Sequence, residues 1–99
     1  MSYKVVILPL AKNDIEQAVD WYQQIQNKLG KRFTAEVRKK VKFIRKNPKA
    51  TAIRYKNVRT ALLDKFPFLI HYVVDDAGKT IIIAAVFHTS LNPDIWDKR

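Results

Sequence analysis

The sequence contains no cysteine, two glycines, four prolines and only nine acidic residues in a chain of 99. Without cysteine there is no disulfide framework and no thiolate metal site, and a reducing cytoplasm is the expected compartment. Two glycines, Gly30 and Gly78, are too few for a glycine-rich phosphate loop. The longest apolar run is Ile81 to Phe87, well short of the roughly 20 residues a membrane-spanning helix needs. The first residues lack a charged-then-apolar signal pattern, so a soluble protein with no membrane partner is expected. A chain of this size buries roughly 60–70% of its unfolded surface, enough for one core between two layers. That predicts a single domain over residues 1–99 and excludes a dinucleotide-binding enzyme or a barrel.

Lys and Arg number 19 against 9 Asp and Glu, a formal net charge of +10. Such an excess points to a large anionic partner: nucleic acid, an RNA-rich particle or an acidic protein.

Tyr3, Val5 and Ile7 alternate with Lys4, Val6 and Leu8 up to Pro9, which reads as a short strand, apolar on both faces and therefore central or covered. Asn13 and Glu16 have the spacing of a capping box and predict the start of a first helix. Its apolar face is Ile15, Ala18, Val19, Tyr22, Ile25 and Leu29, with Gly30 as the left-handed stop. A second helix carries Phe33, Val37, Val41 and Ile44 on one stripe and ends at Asn47-Pro48. Opposite that stripe lie Lys31, Arg38, Lys42, Arg45 and Lys49. From Lys28 to Lys49 there are ten basic residues and one acid, Glu36. Beyond Pro48 the pattern becomes extended: a short Ile53–Tyr55 piece, then Val58–Leu63, Phe68–Val74 and Thr80–Phe87, joined by short polar turns. Residues 81–86 are apolar throughout, as suits a central strand, and the tail from His88 to Arg99 reads as irregular. The expected architecture is α+β in two layers. An N-terminal strand and an α-helical hairpin precede a three-stranded antiparallel meander that completes one sheet.

Five strings mark a family: Asp20-Trp21-Tyr22; Leu29-Gly30-Lys31-Arg32-Phe33; Asn47-Pro48; Val58 through Tyr72, with Phe66-Pro67-Phe68 inside it; and Ala85 through Trp96. In this order and spacing the chain resembles the RelE/ParE superfamily of toxins from type II toxin–antitoxin modules, in its ParE-like, plasmid-stabilisation branch. The resemblance implies the RelE/ParE-like fold and a growth inhibitor neutralised by a cognate antitoxin that wraps it. Operator DNA is then expected as a partner only through the antitoxin complex.

The superfamily runs two activities on one fold, so the site residues must decide between them. RelE-like members cut messenger RNA on the ribosome with a basic and aromatic cluster on the concave sheet face and the C-terminal segment. In-line attack by a 2′-hydroxyl needs a proton acceptor, a cation for the phosphorane charge and a donor to the leaving oxygen. Arg59 matches the basic position on the strand from Val58. Phe68 and Thr89 or Ser90 stand where the resemblance calls for arginines, and Leu91 where close relatives carry another; none supplies a guanidinium. ParE-like members, which poison DNA gyrase and catalyse nothing themselves, also lack the full set. The resemblance therefore implies DNA gyrase as target, with a metal-independent, ribosome-dependent endoribonuclease or a non-toxic antitoxin-binding remnant as alternatives. No catalytic residue is assigned; Arg59, His88 and Lys65 are the candidates for a reduced ribonuclease set.

His88, at the mouth of the last strand, is expected to cap the strand end through Thr89, Ser90 or Asn92, with proton transfer as the alternative. His71 is expected on a sheet face. The two histidines with Asp75 or Asp94 make no metal-ligand spacing, so neither metal nor cofactor is expected. Trp21, Arg38, Lys42, Arg45, Lys49, Arg59 and Trp96 form the candidate partner-binding set. Trp21, Phe43 and Trp96 each have packing as the favoured role, and Trp96 is expected to fold the tail back onto the sheet.

Overall fold

Pro9 decides the first junction of the chain. In the computed structural model, which describes residues 3–98, strand β1 (Lys4–Ile7) pairs parallel with β5 (Thr80–His88). The ladder closes where the Leu8 N–H donates to the Ile83 carbonyl at 3.0 Å. Proline has no N–H to continue a ladder, and its fixed φ suits the first position of a helix. Helix α1 (Pro9–Ile25) accordingly starts there, four residues before the expected Asn13 start, and opens on Leu8 without a side-chain cap.

Gly30 also differs from expectation. Helix α1 gives way at Gln26, whose backbone is extended, and α2 (Leu29–Lys46) begins three residues later, so Leu29 and Gly30 belong to the second helix. Neither glycine has a positive φ. What Gly30 supplies is room: a Cβ there would lie 3.1 Å from the Val19 carbonyl oxygen of α1. Helix α2 buries Phe33, Val37 and Ile44 and half-buries Val41, as its stripe predicts. It stops at Asn47, whose N–H donates to Phe43 O at 2.9 Å, immediately before Pro48.

Strands β2 (Ile53–Tyr55), β3 (Val58–Leu62), β4 (Phe68–Asp75) and β5 complete a five-stranded sheet of order β1-β5-β4-β3-β2. The antiparallel β3-β4-β5 meander is as expected, and the short Ile53–Tyr55 piece joins it by pairing with β3. The first strand is not central. With β4 on one side of β5, β1 takes the free side and becomes an edge strand, largely exposed despite its apolar sequence.

Both helices cover one sheet face, where Phe33, Val37 and Ile44 join Ile70, Tyr72, Ile81 and Ile83 in one core. Phe33 meets Phe66 and Phe68 edge to face at 5.2 and 5.0 Å, and Tyr22 meets Phe66 at 4.8 Å. Such aromatic pairs contribute about 0.5–1.5 kcal/mol each beyond their buried area. The opposite face is crossed by a 3-10 helix, Pro93–Lys98, which gives the tail more order than expected; Arg99 lies outside the described residues.

Candidate functional site

Cross-strand register determines which side chains share a face, because neighbours along a strand point to opposite sides. Thr60 on β3, His71 on β4 and Ala85 on β5 lie side by side on the face away from the helices. His71 is 0% exposed there, with Nδ1 2.9 Å from the Tyr55 hydroxyl. Phe87 and Trp96 meet its ring edge to face at 4.9 and 4.7 Å. Trp96, at 8% exposure, folds the tail onto the sheet as expected, and the Arg54 guanidinium stands over its ring at 5.5 Å. This face is aromatic and partly roofed.

Arg59 is the only Lys or Arg in β3, β4 and β5, and it lies on the other side. It pairs across the ladder with Tyr72, a core residue. Its guanidinium donates to the carbonyls of Thr51 and Lys49 in the segment leaving α2. Tyr72 braces the same segment, its hydroxyl donating to Pro48 O at 3.0 Å and lying 2.7 Å from Thr51 Oγ1. The other two catalytic candidates are elsewhere. His88 pairs with Phe68, four residues along β4 from the partner of Arg59, which is about 13 Å at strand rise. Its Nδ1 accepts the Ser90 N–H at 3.0 Å and lies 2.7 Å from Ser90 Oγ, the strand-end role expected of it. Lys65 is exposed in the turn between β3 and β4. Phe68, at a position where the resemblance calls for an arginine, is a 9% exposed core side chain.

Trp21 and Phe43 overturn the packing expectation. Trp21 is 63% exposed and Phe43 is exposed too, because Ala18 and Tyr22 on α1, and Ile44 on α2, already fill the core direction. Trp21 forms a wall of a cleft of about 480 Å³ between α1 and the segment after β5, with Asp14, Phe87, His88, Leu91 and Ile95. The Asp14 carboxylate accepts the Val86 N–H at 3.0 Å, beyond the point where β1 ends and leaves the outer edge of β5 without a neighbour. Nothing local in the sequence signals that reach across 72 positions. The buried setting of His71, by contrast, was hinted at by Ile70 and Tyr72 on either side of it.

The basic residues of α2 are solvent-facing: Arg38, Lys42, Arg45 and, past its end, Lys49 are all exposed. Arg45 Nε donates to the Tyr3 carbonyl at 3.0 Å, tying α2 to the start of the chain. Acids collect at the flanks. Asp64 bridges Lys40 and Lys39 at 3.1 and 3.2 Å, and their hydrogen bonds hold its carboxyl below the usual value. Asp76 binds Lys49 at 2.8 Å and accepts the Tyr3 hydroxyl at 3.0 Å; both bonds, Lys49 foremost, lower its pKa, while Lys49 and Tyr3 are raised by it. Tyr22 is raised by burial. Among the described residues, no three His, Cys, Asp or Glu side chains gather as metal ligands, and no helix is long and apolar enough to cross a membrane.

A family described as the ParE toxin of the type II toxin–antitoxin system, parDE, matches residues 5–93. Among solved structures, a chromosomal ParDE toxin–antitoxin system from P. aeruginosa superposes with a TM-score of 0.78 at 20% identity, covering 90% of this chain and 98% of that one. The RelBE2 toxin–antitoxin complex from Mycobacterium tuberculosis gives 0.62 at 16% identity, covering 89% and 99%. The isolated E. coli RelE toxin gives 0.62 at 12% identity, covering 94% and 90%. At such identities these likenesses establish the fold. No curated protein sequence matches the chain.

Proposed function

The chain belongs to the ParE toxin family of type II toxin–antitoxin systems, and we propose that it arrests growth by binding DNA gyrase, without catalysis of its own, until a cognate antitoxin covers it. Arg59 carries this reading. It is the only guanidinium on the three long strands, and it holds the backbone after α2 from the helix side of the sheet. On the open face the three long strands present Thr60, His71 and Phe87, none of them the guanidinium or ammonium that stabilises a phosphorane charge, and the one guanidinium beside them, Arg54 of β2, is stacked over the Trp96 ring. The antitoxin has a fitting contact in the cleft beside Trp21, where an exposed aromatic offers the kind of anchor that dominates protein interfaces. ParDE and RelBE structures with this fold are toxin–antitoxin systems, which supports such a partner.

The test is a short induced pulse of the protein in bacteria with labelled DNA and protein precursors followed minute by minute. DNA synthesis should stop first, and purified protein should inhibit supercoiling by gyrase. Protein synthesis stopping first would assign the ribosome as target and overturn the proposal. Continued synthesis of both would leave an antitoxin-binding remnant.

A further inference from the structure

Helix α2 presents a face of a single chemical kind. At 100° per residue, Lys31, Arg32, Ala35, Arg38, Lys39, Lys42, Arg45 and Lys46 occupy one continuous arc of about 140°, and no other residue of the helix falls within it. Seven of these eight are Lys or Arg, and all eight are exposed. Lys39 shares Asp64 with Lys40; the other six form no ion pair among the described residues. They are spread over about 22 Å of helix, at 1.5 Å per residue.

A solvated face is the ordinary explanation of surface charge, but solubility is served by mixed signs, and this arc contains no acid. A protein partner is a poorer match as well. Interface cores combine arginine with aromatic and apolar anchors and are depleted in lysine, whereas four of the seven cations here are lysines and Ala35 is the arc's only uncharged side chain. Single-stranded nucleic acid is gripped by aromatic platforms on which bases stack, and Phe43, the exposed ring of α2, lies outside the arc. A rigid row of cations without stacking or apolar groups matches the phosphate rows of a duplex, where contacts to the backbone position a protein without reading sequence.

We propose that the outer face of α2 binds the phosphate backbone of duplex DNA directly and without sequence preference. This stands apart from the gyrase proposal and would survive its failure, since it needs no target enzyme.

The full chain is titrated against a fluorescent random-sequence duplex at several salt concentrations. With four to six phosphates engaged, log K should fall linearly with log salt at a slope of about −3.5 to −5.5. Arg38→Gln with Lys42→Gln should reduce that slope by about 1.8, 0.9 for each lost contact. Lys31→Gln with Lys46→Gln, at the two ends of the row along the helix axis, should do the same, which guards against a local folding defect in either pair. Lys12→Gln with Lys65→Gln removes equal charge outside α2 and should leave the slope unchanged; an equal drop would show binding by net charge alone and overturn the proposal. Polyglutamate competing as well as duplex of matched charge would give the face to an acidic protein segment. Tighter binding of a single strand of the same length would also overturn it.

Discussion

Arg59 separates a structural role from a chemical one most sharply, and replacing it with alanine is the informative perturbation. The guanidinium donates to two main-chain carbonyls, Thr51 and the more distant Lys49 at 3.5 Å. Hydrogen bonds involving a charged group are worth about 1.5–3 kcal/mol when sheltered, and Arg59 is half-buried, with one bond long, so the loss belongs near the lower end, about 1.5 kcal/mol. A domain of this size loses roughly 4–8 °C of Tm per kcal/mol, which gives a drop of about 6–12 °C. Arg59→Lys keeps the charge but loses the planar fork and should fall between alanine and the native protein. Calorimetry gives the melting temperature; growth arrest on induction at 25 °C, well below the variant's transition, gives function. We expect growth arrest to persist at that temperature. A melting temperature within about 2 °C of the native protein, together with lost arrest or lost messenger cleavage in a translation extract, would refute the assignment and return Arg59 to a reaction site.

Asp64 and Asp76 lie below the ordinary carboxylate value of 3.8 because lysines bind their charged forms. A carboxyl depressed in the folded state contributes stability that is complete above the unfolded value and disappears as pH falls through the folded one. The melting temperature should therefore fall below about pH 4, and Asp64→Asn with Asp76→Asn should start lower and fall less steeply; an unchanged acid limb would show that the ion pairs contribute nothing. Gly30→Val must force α1 and α2 apart, since even its Cβ would sit 3.1 Å from Val19 O, and overpacking of this kind costs about 1–3 kcal/mol; a native-like denaturation midpoint would contradict the close approach. Trp21→Ser should change stability by no more than about 0.5 kcal/mol, yet weaken antitoxin binding measured by calorimetric titration; undiminished affinity would remove the cleft from the antitoxin contact.

Helix α2 shows what local pattern can carry. Phe33, Val37, Val41 and Ile44 recur with the helical period, Asn47-Pro48 ends the run, and the basic arc opposite follows from the same geometry. The three long strands were equally legible from their extended apolar runs and polar turns. The junctions were harder. The Asn13–Glu16 spacing imitates a helix start that Pro9 had already made, and Gly30 looks like a stop when its small size is needed for contact with α1.

The candidate site was less accessible for a reason of a different kind. Position in sequence says that Arg59 and His71 lie on strands. It does not say which face either meets, since a shift of one residue in register exchanges the two faces. The β3–β4 ladder sets Thr60 against His71 and Arg59 against Tyr72, which leaves His71 under Trp96 on one side of the sheet and Arg59 beside Tyr72 on the other, while the β4–β5 pairing passes over Ala84. Local chemistry, read at short range along the chain, sets the family, the helices, the strands and the charge. Sheet order and register, which join residues dozens of positions apart, expose β1 at the edge, carry Asp14 to Val86 and turn Arg59 away from the open face.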